Sequence, residues 1–104
     1  MALTRDFRET VKARVERDEK FRKALLREAL TCLISGEVDV GRAMLKDFIN
    51  ATVGFPALAD AVQQDSKSLL RMFGPRGNPT SNKLFPVIHY LQTVEHCRAR
   101  VELG

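Results

Sequence analysis

The chain has 104 residues, 44% of them apolar and 29% charged, which is ordinary for a soluble globular protein and long enough for a single domain built on one core. No run approaches the roughly 18 consecutive apolar residues that would span a bilayer, and Met1–Asp6 lacks the basic, apolar and small-residue order of a secretory signal, so no membrane partner and a cytoplasmic location are expected. The net charge of +4 is unevenly spread. The eleven basic residues up to Asp65 are matched by eleven acidic ones, whereas Ser66–Val94 carries Lys67, Arg71, Arg76 and Lys83 and no Asp or Glu. A basic window in an otherwise balanced chain is the electrostatic footprint of a surface that meets phosphates.

Between Thr4 and Arg17, Phe7, Val11 and Val15 recur at steps of four among Arg, Lys and Glu, the period of an amphipathic helix. Asp18 is placed to cap a second helix, with Phe21, Leu25, Ala29, Leu30 and Leu33 as its apolar stripe and Ser35-Gly36 as its stop. Asp39 is expected to cap a third, whose apolar face is read as Val40, Ala43, Met44, Phe48 and Ile49 and whose end falls near Thr52 to Gly54. The next elements are short. Phe55–Val62 carries Leu58, Ala59 and Val62 on one face and tolerates Pro56, because the first helical turn has no intrahelical partner for its missing N–H. Asp65 then caps Ser66–Phe73, which turns Leu69, Met72 and Phe73 inward and Ser66, Lys67, Leu70 and Arg71 outward.

Gly74-Pro75-Arg76-Gly77-Asn78-Pro79 reads as a loop, and Thr80 or Ser81 as the cap of a last helix running from about Ser81 to Arg100. That helix turns Leu84, Val87, Ile88, Leu91 and Val94 inward, with Pro86 near its first turn. Nothing reads as a strand, so the expected fold is an all-α compact bundle of about six helices over residues 1–104. Within it, 1–36 form an N-terminal helical extension and 39–94 a helix-turn-helix core. The extension is expected to enlarge the core, to make a dimer, or to hold a protein partner; the apolar Leu91, Val94 and Val101 make the last helix a second candidate for self-association.

Two short helices across a tight turn, the second one polar and basic at its start, form the pattern of a helix-turn-helix whose second helix lies in the DNA major groove. Ser66, Lys67 and Arg71 are then within reach of base edges and phosphates, and Arg can bond guanine O6 and N7 together. Leu58-Ala59, Asp65-Ser66-Lys67-Ser68-Leu69, Arg71, Asn78-Pro79-Thr80 and Leu84 resemble the helix-turn-helix of the Cro and phage-repressor superfamily. More narrowly, Asn50-Ala51-Thr52-Val53-Gly54-Phe55, Lys67-Ser68-Leu69-Leu70-Arg71-Met72-Phe73 and Gly77-Asn78-Pro79-Thr80 resemble the addiction-module antidote proteins of the host-inhibition-of-growth type.

The resemblance runs from Asp39 to Gln92, about half the chain. It implies a lambda-repressor-like fold and a homodimer that represses at a two-fold operator on double-stranded DNA. The alternative it carries is an antitoxin that neutralises a partner toxin protein and binds DNA to regulate itself. It makes Ser66, Lys67 and Arg71 base-reading residues, Ser68 a phosphate contact, and Arg76 and Asn78 part of a loop beside the DNA backbone. One departure is local: Gln63 stands where this turn usually has Gly, so the turn is either wider or left-handed at a non-glycine residue.

Enzymatic and metal chemistry find no carrier. Cys32 and Cys97 are far apart and lack CxxC spacing, so they read as structural thiols. His96 and Cys97 are helix neighbours that point apart, with no further His/Cys cluster to complete a tetrahedral site, and His89 and Tyr90 read as packing or surface residues. No nucleophile triad, carboxylate pair or phosphate-cradling glycine loop is present, so no catalytic residue, cofactor or metal is expected.

Overall fold

The computed structural model describes residues 13–104. Phe7 and Val11 of the first predicted helix lie outside the described residues; residues 13–17 are helical (α1), and Val15 is fully buried. Five helices follow: α2 (Glu19–Ile34), α3 (Val38–Ala51), α4 (Phe55–Val62), α5 (Ser66–Met72) and α6 (Ser81–Val94). The fold is all-α, with no strand among the described residues, and none of their helices is long and apolar enough to cross a membrane. The helices pack as two units divided between Gly54 and Phe55, inside the stretch 39–94 assigned above to the helix-turn-helix core.

In the first unit, Asp18 caps α2 as expected, accepting the Phe21 N–H at 3.1 Å. The Arg22 guanidinium donates to the Val15 carbonyl at 2.9 Å, and Arg14 lies 4.6 Å over the Phe21 ring, so this junction with α1 is held by charge as well as apolar burial. Leu26, Ala29 and Cys32 form the buried face of α2, flanked by half-buried Phe21, Leu25, Leu30 and Leu33. Gly36, at φ 89°, ends the helix: its N–H donates to the Leu33 carbonyl and that of Glu37 to the Cys32 carbonyl, which satisfies two of the orphaned last-turn acceptors.

The third helix corrects two expectations. Its cap position is Glu37, with no side-chain cap hydrogen bond, and Asp39 sits inside the first turn, 3.1 Å from Arg42 Nη2. An acid in a first turn favours the helix through the dipole without capping it. The buried face is Gly41, Arg42, Leu45, Phe48 and Ile49, whereas Val40 and Ala43 are exposed and Met44 is half-buried. The reason is Gly41. A Cβ there would stand 2.8 Å from Leu33 Cγ and 2.9 Å from the Ala29 carbonyl oxygen, so the missing side chain is what lets α3 seat on α2, and the face containing it turns inward.

In the second unit, α4 buries Phe55, Leu58 and Ala59, α5 buries Leu69 and Met72, and α6 buries Val87, Ile88 and Leu91. Full burial of a Leu- or Val-sized side chain contributes about 1.5–3 kcal/mol, which is how two helices this short hold their places. The rings of Phe55 and Phe73 meet edge-on, centroids 5.8 Å apart, tying the start of α4 to the end of α5.

The last helix is shorter than expected. It stops at Val94, not near Arg100, because His96 adopts a left-handed φ of 53° while its N–H donates to the Thr93 carbonyl and that of Cys97 to the Gln92 carbonyl. Val94 is accordingly exposed, and Pro86 lies inside the helix, one turn beyond its start.

Candidate nucleic-acid interface

The turn between α4 and α5 is three residues long, 63–65, and every backbone step in it has a local cause. Gln63 takes the left-handed conformation at φ 54°. Its N–H donates to the Asp60 carbonyl at 3.3 Å and the Gln64 N–H to the Ala59 carbonyl at 3.0 Å, the paired closure of a helix end that usually has glycine at its left-handed position. Of the two options left by the sequence, the structure takes the left-handed turn. Asp65 then starts α5: one carboxylate oxygen accepts the Ser68 N–H at 3.0 Å and the Ser68 hydroxyl at 3.2 Å. Ser68 is thereby committed to fixing the helix start.

Beyond α5 the chain doubles back. A Cβ at Gly77 would collide with the Met72 carbonyl oxygen and stand 2.6 Å from that of Arg71, so only glycine lets the loop lie against the helix end. A second tie comes from the turn, where the Gln64 side-chain amide donates to the Lys83 carbonyl in the first turn of α6, at 3.2 Å. The two constraints bring the end of α5, the loop and the start of α6 together.

Between these elements lies an open groove of about 340 Å³, with Ser68, Arg71, Arg76, Asn78, Thr80 and Lys83 on its walls. Three of these are cations and none is a carboxylate; the nearest acid along the chain, Asp65, is engaged by Ser68. Four of the six residues singled out from the sequence, Ser68, Arg71, Arg76 and Asn78, are thus brought to one site. Ser66, half-buried, and Lys67, exposed, stand in the first turn of α5 outside the groove. Lys83 was counted in the basic window yet not assigned to the site, and the available signal was that same acid-free stretch.

A second depression, in the first unit, differs in its charge. Arg14, Arg17 and Lys20 share its walls with Asp18 and Glu19, and Arg14 pairs with Asp18 at 3.8 Å, so its cations are largely offset by carboxylates, unlike those of the groove along α5. Among the described residues no group of His, Cys, Asp or Glu could hold a metal ion. Cys32 is buried in α2, where burial, and then the nearby Glu37 and Glu28, push its thiol above the ordinary range.

Comparison of the chain with protein-family models, with curated proteins and with solved structures finds no match.

Proposed function

We infer that this protein is a sequence-specific regulator that binds double-stranded DNA, with α5 entering the major groove, and that it represses as a homodimer on a two-fold operator. The observation that carries the reading is the groove along α5, where Arg71, Arg76 and Lys83 from three successive elements converge without a carboxylate. Phosphates are the ligand such a surface suits, because each neutralised phosphate releases condensed counterions. The pairing of α4 and α5 across a three-residue turn supports it, since this is the arrangement that presents a second helix to base edges. Lys67 and Ser66, at the start of α5, are on this reading the residues nearest the bases. The resemblance to Cro and phage repressors points the same way and supplies the dimer, with half-sites about one helical turn apart.

The test is a titration of the purified protein against the duplex upstream of its own gene and against a scrambled duplex, at several salt concentrations. Tight binding to the first, weak binding to the second and a steep log–log salt dependence are expected. Equal, weak binding to both duplexes would leave a basic helical domain without a sequence to read, and would end the regulator reading.

A further inference from the structure

The groove divides the labour of α5 in a way that its spacing conceals. Arg71 and Lys67 lie one helical turn apart on the exposed side of the same helix, yet only Arg71 lines the groove, together with Arg76 of the loop and Lys83 of α6. A base edge is read by a side chain that projects from the helix into the DNA groove; a phosphate is held by several donors that converge on it from different directions. Arg71, Arg76 and Lys83, which line one groove from three successive elements, suit the second arrangement. Asn78 and Thr80 add neutral hydrogen-bonding groups on the same walls, which a phosphodiester's ester and anionic oxygens can accept from. Lys67 keeps the first arrangement, exposed at the start of the helix and clear of the groove.

We propose that the groove grips a phosphodiester of the DNA backbone through Arg71, Arg76 and Lys83, so that Arg71 holds the backbone instead of reading a base and Lys83 joins the interface. The proposal rests on the DNA-binding reading above and refines it. Affinity and sequence preference then come from different ends of α5: its last turn anchors the helix, and its first turn discriminates. Because Arg76 and Lys83 are brought to the groove by the fold-back at Gly77 and by the Gln64 tie to the Lys83 carbonyl, the anchor also fixes the angle at which α5 meets the duplex.

The experiment compares the wild-type chain with Lys67→Ala, Arg71→Ala and Lys83→Ala on the upstream and scrambled duplexes across a salt series. Lys83→Arg serves as the conservative control, and melting curves establish that each variant is folded. Arg71→Ala and Lys83→Ala are expected to weaken both duplexes by the same factor and to lower the log–log salt slope by about one each. Lys83→Arg should restore the slope, and Lys67→Ala should erode the preference between the duplexes. An Arg71→Ala variant that loses preference with its slope unchanged would overturn the proposal, as would a Lys83→Ala variant that binds like the wild type. Failure of the wild type to bind either duplex is a different result, and removes the DNA reading together with this refinement.

Discussion

Replacing Gln63 by glycine should stabilise the protein, and the size of the gain can be worked from the turn. Gln63 sits at φ 54°, a conformation that costs an L-residue roughly 1–2 kcal/mol through its Cβ. Glycine removes that strain, but its greater freedom in the unfolded chain returns about 0.4–1 kcal/mol. The net expectation is a gain of about 0–1.6 kcal/mol, centred on about 0.8 kcal/mol, which is about 3–6 °C in Tm for a protein of this size. The Gln63 side chain is exposed, so little packing is lost with it, and the two hydrogen bonds that close the turn are made by backbone. DNA affinity should therefore be unchanged. The assay is denaturant and thermal unfolding followed by far-UV circular dichroism, with Gln63→Ala as the decisive companion. Alanine keeps the Cβ, so it should sit within about 0.5 kcal/mol of the wild type. If alanine gained as much as glycine, or glycine lost stability, the strain argument would be refuted and the turn would owe its shape to something other than this helix closure.

Gly41→Ala should destabilise by about 1–3 kcal/mol, because the new methyl group meets both Leu33 Cγ and the Ala29 carbonyl oxygen. With Leu33 already trimmed to Ala, the added cost of Gly41→Ala should shrink but not vanish, since the side-chain contact is gone and the backbone contact at Ala29 remains; this can be read from unfolding curves. Gly77→Ala should push the loop off the end of α5, with about 1–3 kcal/mol of lost stability and a fall in affinity for both duplexes at a temperature where the variant is still folded. Alkylation by iodoacetamide, followed by mass spectrometry, should label half-buried Cys97 before Cys32, whose thiol is buried and pushed upward in pKa. A thiol with a raised folded-state pKa stabilises the fold at pH values below its ordinary range. That contribution is lost as pH climbs through the raised value, so Cys32→Ala should flatten the alkaline fall in stability.

Features whose cause lies within one or two turns were legible in the sequence. Asp18 and Asp65 cap the helices they precede because their partners, the N–H groups of Phe21 and Ser68, are three residues away. The bounds of α4 followed from Phe55, Pro56 and Val62 in the same local way. The face of α3 was misread because hydrophobicity favours Val40 and Met44, while the packing is decided by what Gly41 leaves out, and that depends on Leu33 and Ala29 of another helix. The end of α6 was misread for a related reason. Chain reversal at a helix end announces itself when glycine occupies the left-handed position, as at Gly36, but His96 takes that conformation with only the weak signal of a residue type modestly enriched there. Gln63 carries no such signal in its residue type, and its turn is legible because the next helix declares itself at Asp65.

The site shows the same division, and it exposes a cost that can be measured. The acid-free stretch from Ser66 to Val94 was visible, but Lys83 joins Arg71 through Gly77 and through a hydrogen bond from Gln64, contacts that no local pattern encodes. Like charges gathered on one surface oppose folding unless an anion offsets them, so the groove should be a place where stability is held below what the fold permits. Lys83→Glu tests this directly, since the Gln64 tie is to the Lys83 backbone carbonyl and survives the substitution. In low salt the variant should melt above the wild type, because a carboxylate now stands among the guanidinium groups of Arg71 and Arg76. It also stands in the first turn of α6, where the helix dipole favours it too, so the groove's share is the part of the gain that disappears when Arg71 and Arg76 are also replaced by Ala. The difference should shrink as salt shortens the screening length to about 8 Å at physiological ionic strength. The same variant should lose affinity for both duplexes. A lower melting temperature in low salt would mean that the three cations do not burden one another, and the electrostatic case for an anion in this groove would lose its foundation.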